Sequence, residues 1–145
     1  MRIIGAFDRN SIADIEPRLH SVLIMITSKD SNFVKLSDKW SNVLALKFDD
    51  IDGKINDIGD ADNVLSVDQA KDILDFVIEH INYDIYVSCD AGISRSAGVV
   101  VALHQIFNSL DVADRYRFHN KFVKNRIKEV WFNVIWCDKK DGIRL

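Results

Sequence analysis

Proline is almost missing from this chain: one residue in 145, with only six glycines. That excludes collagen-like segments, flexible linkers and long disordered stretches, which need those residues in quantity. Cysteine is scarce as well. Two residues, Cys89 and Cys137, cannot build a disulfide framework. They suit a reducing compartment, where an unpaired thiol is available for chemistry. No apolar run approaches the roughly eighteen residues of a membrane span. The opening MRIIGAFDRN lacks the basic-then-apolar layout of a secretory signal. A cytoplasmic location with no membrane partner is therefore expected. A basic excess is missing too: the net charge is −3, which argues against nucleic acid as the main partner. The four histidines, His20, His80, His104 and His119, show no metal-ligand spacing, and neither a metal nor a cofactor is expected.

What is present is ordinary for a globular protein. Hydrophobic residues make up 48% of the chain and charged residues 28%, enough to bury a core without staples. No repeat or composition break divides the sequence, so a single, monomeric domain over residues 1–145 is expected. Three short apolar, β-branched runs read as buried strands: Ser21 to Thr27, Asn42 to Phe48, and Asp84 to Ser88. Met1 to Phe7 is a candidate fourth. Between Ser66 and Ile81 the residues Ala70, Ile73, Leu74, Val77, Ile78 and Ile81 lay one stripe along a helix. Ser66 with Gln69 forms a capping box at its start. A further helix is expected from Ser94 or Arg95 towards Leu110, burying Val99, Val100, Leu103 and Phe107. The tail from Val112 to Trp136 reads as helical, with Phe122, Val123, Ile127, Val130, Trp131 and Val134 inward. Trp131 and Trp136 are its expected core anchors, and His104 a packed core edge. Strands alternating with helices imply an α/β fold: a mainly parallel sheet of roughly four to five strands, flanked by helices. Ligands of such sheets bind beyond the carboxyl ends of the strands. Cys89 and the acidic cluster Asp49, Asp50 and Asp52 both fall at that end, where they are able to face one crevice.

The chemistry concentrates in VSCDAGISRSAG, residues 87–98. A strand stops at Cys89, the residues Asp90, Ala91, Gly92, Ile93 and Ser94 follow, and Arg95 and Ser96 open a helix. Such a loop can wrap its backbone N–H groups around a tetrahedral oxyanion. Gly92 supplies the backbone freedom of a tight turn, and Arg95 can bind two oxygens of the same anion at once. The positive field of loop, helix end and guanidinium favours the thiolate of Cys89, the reactive form of a thiol. Read blandly, Cys89 is a small buried hydrophobe and Arg95 a surface residue, but neither needs this loop around it.

C-x5-R followed by serine resembles the signature loop of the protein tyrosine phosphatases, and GISRS is similar to their compact dual-specificity branch. LKFDDID, upstream of the cysteine, is similar to small bacterial and phage members of that branch. The resemblance covers about Ser21 to Leu110. It implies a phosphatase P-loop at the end of a strand and a two-step displacement without metal. In that scheme Cys89 attacks phosphorus, Arg95 and the loop residues Asp90 to Ser94 bind the phosphate, and Ser96 stabilises the departing thiolate. Helix capping is the bland role for Ser96, and the two roles are compatible. The general acid comes from FDDID. Register with the family points to Asp50, with Asp49 and then Asp52 as alternatives. The family's usual histidine before the nucleophile is replaced by Ser88, so weaker activity is expected. A rhodanese-like sulfurtransferase also sets a cysteine in an anion-cradling loop, but needs neither the Arg–Ser pair nor an upstream acid.

The implied function is hydrolysis of phosphotyrosine, with phosphoserine and phosphothreonine as further candidates, and the partner is a phosphorylated protein. The alternative is a phosphatase-like module that binds phosphoproteins with little or no turnover. The loop has no lysine, and Asp90 is expected to repel extra phosphates, which disfavours inositol lipids. Arg115 to Lys128 is locally basic. It reads either as a solvated face or as a docking surface for an acidic phosphoprotein, or weakly for RNA. Cys137 has no neighbours that argue for a resolving thiol.

Overall fold

Seven consecutive residues of Ser21–Thr27 are buried, and this strand sits inside the sheet. The computed structural model describes residues 1–52 and 63–136. Its strands are β1 (Arg2–Asp8), β2 (Ser21–Thr27), β3 (Asn42–Lys47) and β4 (Asp84–Cys89). They form one sheet in the order β1-β4-β2-β3, and all three pairings are parallel. Helix α1 (Arg9–Ala13) follows β1. The others are α2 (Val67–Glu79), α3 (Arg95–Phe107) and α4 (Lys121–Val130), which continues into a π-helical segment, Trp131–Trp136.

Alternation along the strands gives the sheet two covered faces. Val22, Ile24 and Ile26 of β2, with Ile85, Val87 and Cys89 of β4, join the main core under α2, α3 and α4. Leu23 and Met25 pack on the opposite face with Ile12 and Trp40, beside Tyr86. The central strands read as unbroken apolar runs for this reason. β3 differs from its expected burial. It is an edge strand, and Leu46 is its one buried residue, because pairing on one side leaves the rest half covered.

The stripe of α2 is close to its sequence pattern: Ala70, Ile73, Leu74 and Val77 are buried, and the Ser66–Gln69 capping box is complete. Ile81 falls past the end of the helix and is 48% exposed. The tail departs more. Instead of one helix from Val112 there are turns, then Asn120 caps α4 by accepting from the Val123 N–H at 2.9 Å. An asparagine at that point satisfies first-turn donors and so starts a new helix. Val123, Ile127 and Val130 are buried, while Phe122 is half-buried under the Arg126 guanidinium. Trp131 packs edge-on against Phe107 at 5.0 Å. Trp136 is 49% exposed and anchors nothing in the core. Cys137 lies outside the described residues.

Candidate active site

β4 ends at Cys89 between two neighbouring strands, which puts the thiol at the carboxyl edge of the sheet. Cys89 is only 1% exposed. The Gly92 N–H donates to its sulfur at 3.2 Å, and the Ser96 hydroxyl lies 3.1 Å away on the other side. A backbone N–H can only donate, so the sulfur is already serving as an acceptor, the role a thiolate fills best. Ser96 lies inside the first turn of α3 and is fully buried. Its hydroxyl is turned to sulfur rather than used as a cap.

The loop turns back at Gly92, where φ is +75°. A Cβ there would lie 2.5 Å from the Asp8 nitrogen and 2.6 Å from the Phe7 carbonyl carbon. The obstruction is backbone at the end of β1, so it has no way to rotate aside. Gly92→Ala is expected to lose roughly 2–5 kcal/mol of stability through left-handed strain and overpacking. Denaturant unfolding with an unchanged m-value checks this. The second close approach is at Gly98, where a Cβ would meet the Asn120 carbonyl oxygen at 2.6 Å. Glycine therefore sets how near α3 comes to the start of α4.

Ser94 occupies the N-cap position of α3 but makes no side-chain bond to the helix. First-turn N–H groups of α3 are thus left without a cap, as anion-binding helix ends require. The Ser94 hydroxyl instead donates to Asp50 Oδ1 at 2.7 Å. Asn120 Nδ2 donates to the same oxygen at 2.8 Å and to the Ile51 carbonyl at 3.0 Å. Both contacts fall on Oδ1. The other two acids point elsewhere. Asp49 accepts from the Lys29 N–H at 3.0 Å, and Asp52 from the Phe122 N–H at the start of α4, at 3.2 Å. Among the three, Asp50 is the one tied to the cysteine loop.

Arg95 is buried, with 4% of its surface exposed. Its Nη1 donates to the Phe48 carbonyl at 2.7 Å and to Ser28 Oγ at 3.1 Å, and its Nη2 to Asp90 Oδ2 at 2.9 Å. Nε is buried with no partner among the described residues. Asp90 also accepts from Ser28 Oγ at 2.7 Å, from Thr27 Oγ1 at 3.0 Å and from Arg9 Nη1 at 3.5 Å. Burial opposes ionisation of this carboxyl. The hydrogen bonds from Ser28, Arg95 and Thr27, with the Arg95 charge, outweigh it and hold Asp90 below the usual carboxylate range. A carboxylate lowered in the fold stabilises above its unfolded pKa of about 3.9 and loses that contribution only as pH falls further. At neutral pH the cluster is therefore intact. Its two arginines offset the repulsion expected of Asp90 towards extra phosphates. The case against inositol lipids rests instead on the lack of a lysine in the loop.

Ser88 occupies the position before Cys89. Its neighbours Val87 and Cys89 point into the main core, so alternation turns Ser88 to the opposite face of β4. Its hydroxyl is buried there with no partner among the described residues. It gives the sulfur no hydrogen bond.

Sequence reasoning missed Asn120, Thr27, Ser28 and Arg9. A polar residue immediately before the apolar pattern of α4 was the available signal for Asn120. For the other three nothing local distinguishes a site residue from a strand or helix end. Among the described residues no cluster of His, Cys, Asp and Glu is arranged to hold a metal. No helix there is long and apolar enough to cross a membrane.

No protein-family model and no curated protein matches the chain. Among solved structures, one described as the crystal structure of Tk-PTP in the active form is similar at a TM-score of 0.49 and 19% identity. The match covers 74% of this chain and 78% of that one. At that distance the chemistry has to stand on the residues themselves.

Proposed function

We propose that this chain is a cysteine-dependent phosphomonoesterase of the protein tyrosine phosphatase type, acting on phosphotyrosine in proteins. The observation that carries the reading is one loop holding both a sulfur supplied with two hydrogen-bonding neighbours and a buried arginine whose Nε has no partner among the described residues. A structural cysteine needs neither.

In the first step the Cys89 thiolate attacks phosphorus, an S–P bond forms and the ester P–O bond breaks. Asp50 passes its proton to the departing phenolate oxygen. In the second step water attacks phosphorus, Asp50 takes the proton back, and the S–P bond breaks to return the thiolate and inorganic phosphate. Arg95 and the loop N–H groups hold the phosphoryl oxygens throughout. Ser96 supports the sulfur as it leaves. The metal-free scheme uses only these side chains.

An aromatic ester is favoured by what lies beside the loop. Ile93 is 57% exposed and Phe118 69%. With Gly92, Arg115, Tyr116 and Arg117 they line a groove of about 230 Å³. Its apolar and aromatic side chains suit a ring, and its two arginines suit acidic flanking residues. The test is turnover of a small aryl phosphate by the purified protein in the presence of chelator. The expected result is turnover unaffected by chelator, with a phosphate-labelled Cys89 peptide in acid-quenched samples. Ser96→Ala is expected to raise the labelled fraction several-fold, because the second step slows more than the first. Turnover that chelator abolishes, or that leaves no label on Cys89 in either protein, sinks the scheme.

The orphaned Ser88 hydroxyl favours a second reading, a domain that binds phosphotyrosine and turns it over weakly or not at all. Binding without turnover in the same assay would select it.

A further inference from the structure

Arg95 has five N–H donors, and the way they are shared out is specific. Ser28 Oγ donates to Asp90 Oδ2 and accepts from Arg95 Nη1, while Asp90 Oδ2 also accepts from Arg95 Nη2. These three contacts close a ring across the edge of the guanidinium formed by Nη1 and Nη2. The Phe48 carbonyl takes a further Nη1 donor. What remains is the side edge, with Nε–H and the remaining Nη2–H, and Nε has no partner among the described residues. Two parallel donors on a rigid fork match two oxygens of one phosphoryl group.

Asp90 is in turn fixed from outside the loop. Thr27 and Ser28 at the end of β2 hold its two oxygens, and Arg9 of α1 approaches the first of them. The Arg9 backbone N–H also reaches the Asp90 carbonyl at 3.4 Å. The residue next to the nucleophile is therefore anchored to two separate elements.

We propose that Asp90 is a positioning residue: its carboxylate locks one edge of Arg95 and so presents the other edge to the phosphoryl group. The inference rests on the phosphatase reading for what Arg95 binds. It assigns Asp90 to orienting the clamp, not to touching substrate. Its sign is opposite to that of a bystander charge. A bare carboxylate beside the nucleophile repels anions, so removing it should help an anionic reagent. A positioning carboxylate does the reverse.

The test compares alkylation of Cys89 by iodoacetate, an anion, and by iodoacetamide, its neutral counterpart. Rates are followed by mass spectrometry on the peptide containing Cys89, in the wild type, Asp90→Asn and Asp90→Glu. The wild type is expected to favour iodoacetate. In Asp90→Asn that preference should fall roughly tenfold, the scale of one weakened charge-assisted hydrogen bond, and inorganic phosphate should protect the thiol more weakly by a similar factor. Asp90→Glu, which restores the charge, should recover part of the preference. A preference that rises or stays constant in Asp90→Asn overturns the proposal while leaving the phosphatase reading intact. A wild type with no preference for the anion removes the oriented clamp altogether, and both readings fall. If Asp90→Asn does not fold, Ser28→Ala breaks the same ring from its other member and is expected to shift the ratio in the same direction by a smaller factor.

Discussion

Serine in place of Cys89 is expected to lower aryl phosphate turnover at neutral pH by at least about 10⁴-fold, down to the uncatalysed background. The replacement is nearly isosteric, and the Gly92 N–H and the Ser96 hydroxyl still have an oxygen to meet. What changes is the nucleophile. An alcohol has no appreciable anion at pH 7, and among the described residues the groups hydrogen-bonded at the sulfur are a backbone N–H and a hydroxyl, neither of them a base. Binding should survive, since Arg95 and the loop N–H groups are untouched. Isothermal titration with a phosphotyrosine peptide should therefore show affinity within a few-fold of wild type beside the lost turnover. Residual turnover above about one per cent of wild type would mean that Cys89 is not the attacking group.

The second large effect is expected at Asp50, and it depends on the leaving group. Asp50→Asn keeps an acceptor oxygen for Ser94 and Asn120 but has no proton to give. Hydrolysis of a phosphotyrosine peptide should fall about 10²- to 10³-fold, the usual worth of a positioned general acid. A nitrophenyl phosphate, whose leaving group departs without protonation, should lose far less. Equal losses on both esters would place the acid elsewhere. Asp49→Asn and Asp52→Asn are the comparisons, and both are expected to stay near wild type. Their carboxylates are engaged by the Lys29 and Phe122 N–H groups, away from the loop.

The two sites differ in how far along the chain their determinants lie. Cys89, Gly92 and Arg95 are legible in the sequence because they lie within one short loop, where spacing alone dictates geometry. A strand that ends at a cysteine and a helix that opens on an arginine leave little choice of conformation between them. The same holds for α2, whose stripe and capping box are local. Asp50 stands in a cluster of three acids. What separates it from Asp49 and Asp52 is contact with Ser94 and with Asn120, 44 and 70 residues away along the chain. No periodicity carries that information.

Long-range packing also accounts for the expectations that changed. The tail reads as one helix by composition, yet Asn120 starts a new one, because its side chain caps α4 while its amide holds Asp50. Ile81 and Trp136 are apolar residues at plausible core positions that the folded chain leaves half exposed. β3 has the composition of a buried strand and the position of an edge.

By itself, then, the sequence determined the local pieces: a parallel α/β pattern, the turn at Gly92, and a thiol and a guanidinium in one anion-sized loop. Only the tertiary structure decided which acid meets that loop and that Asp90 is clasped by Thr27, Ser28, Arg9 and Arg95. The physical reason is range. Backbone sterics, capping and alternation act over a few residues and leave their mark in spacing. The placement of a carboxylate against a hydroxyl from another element is settled only when the two faces of the sheet are packed.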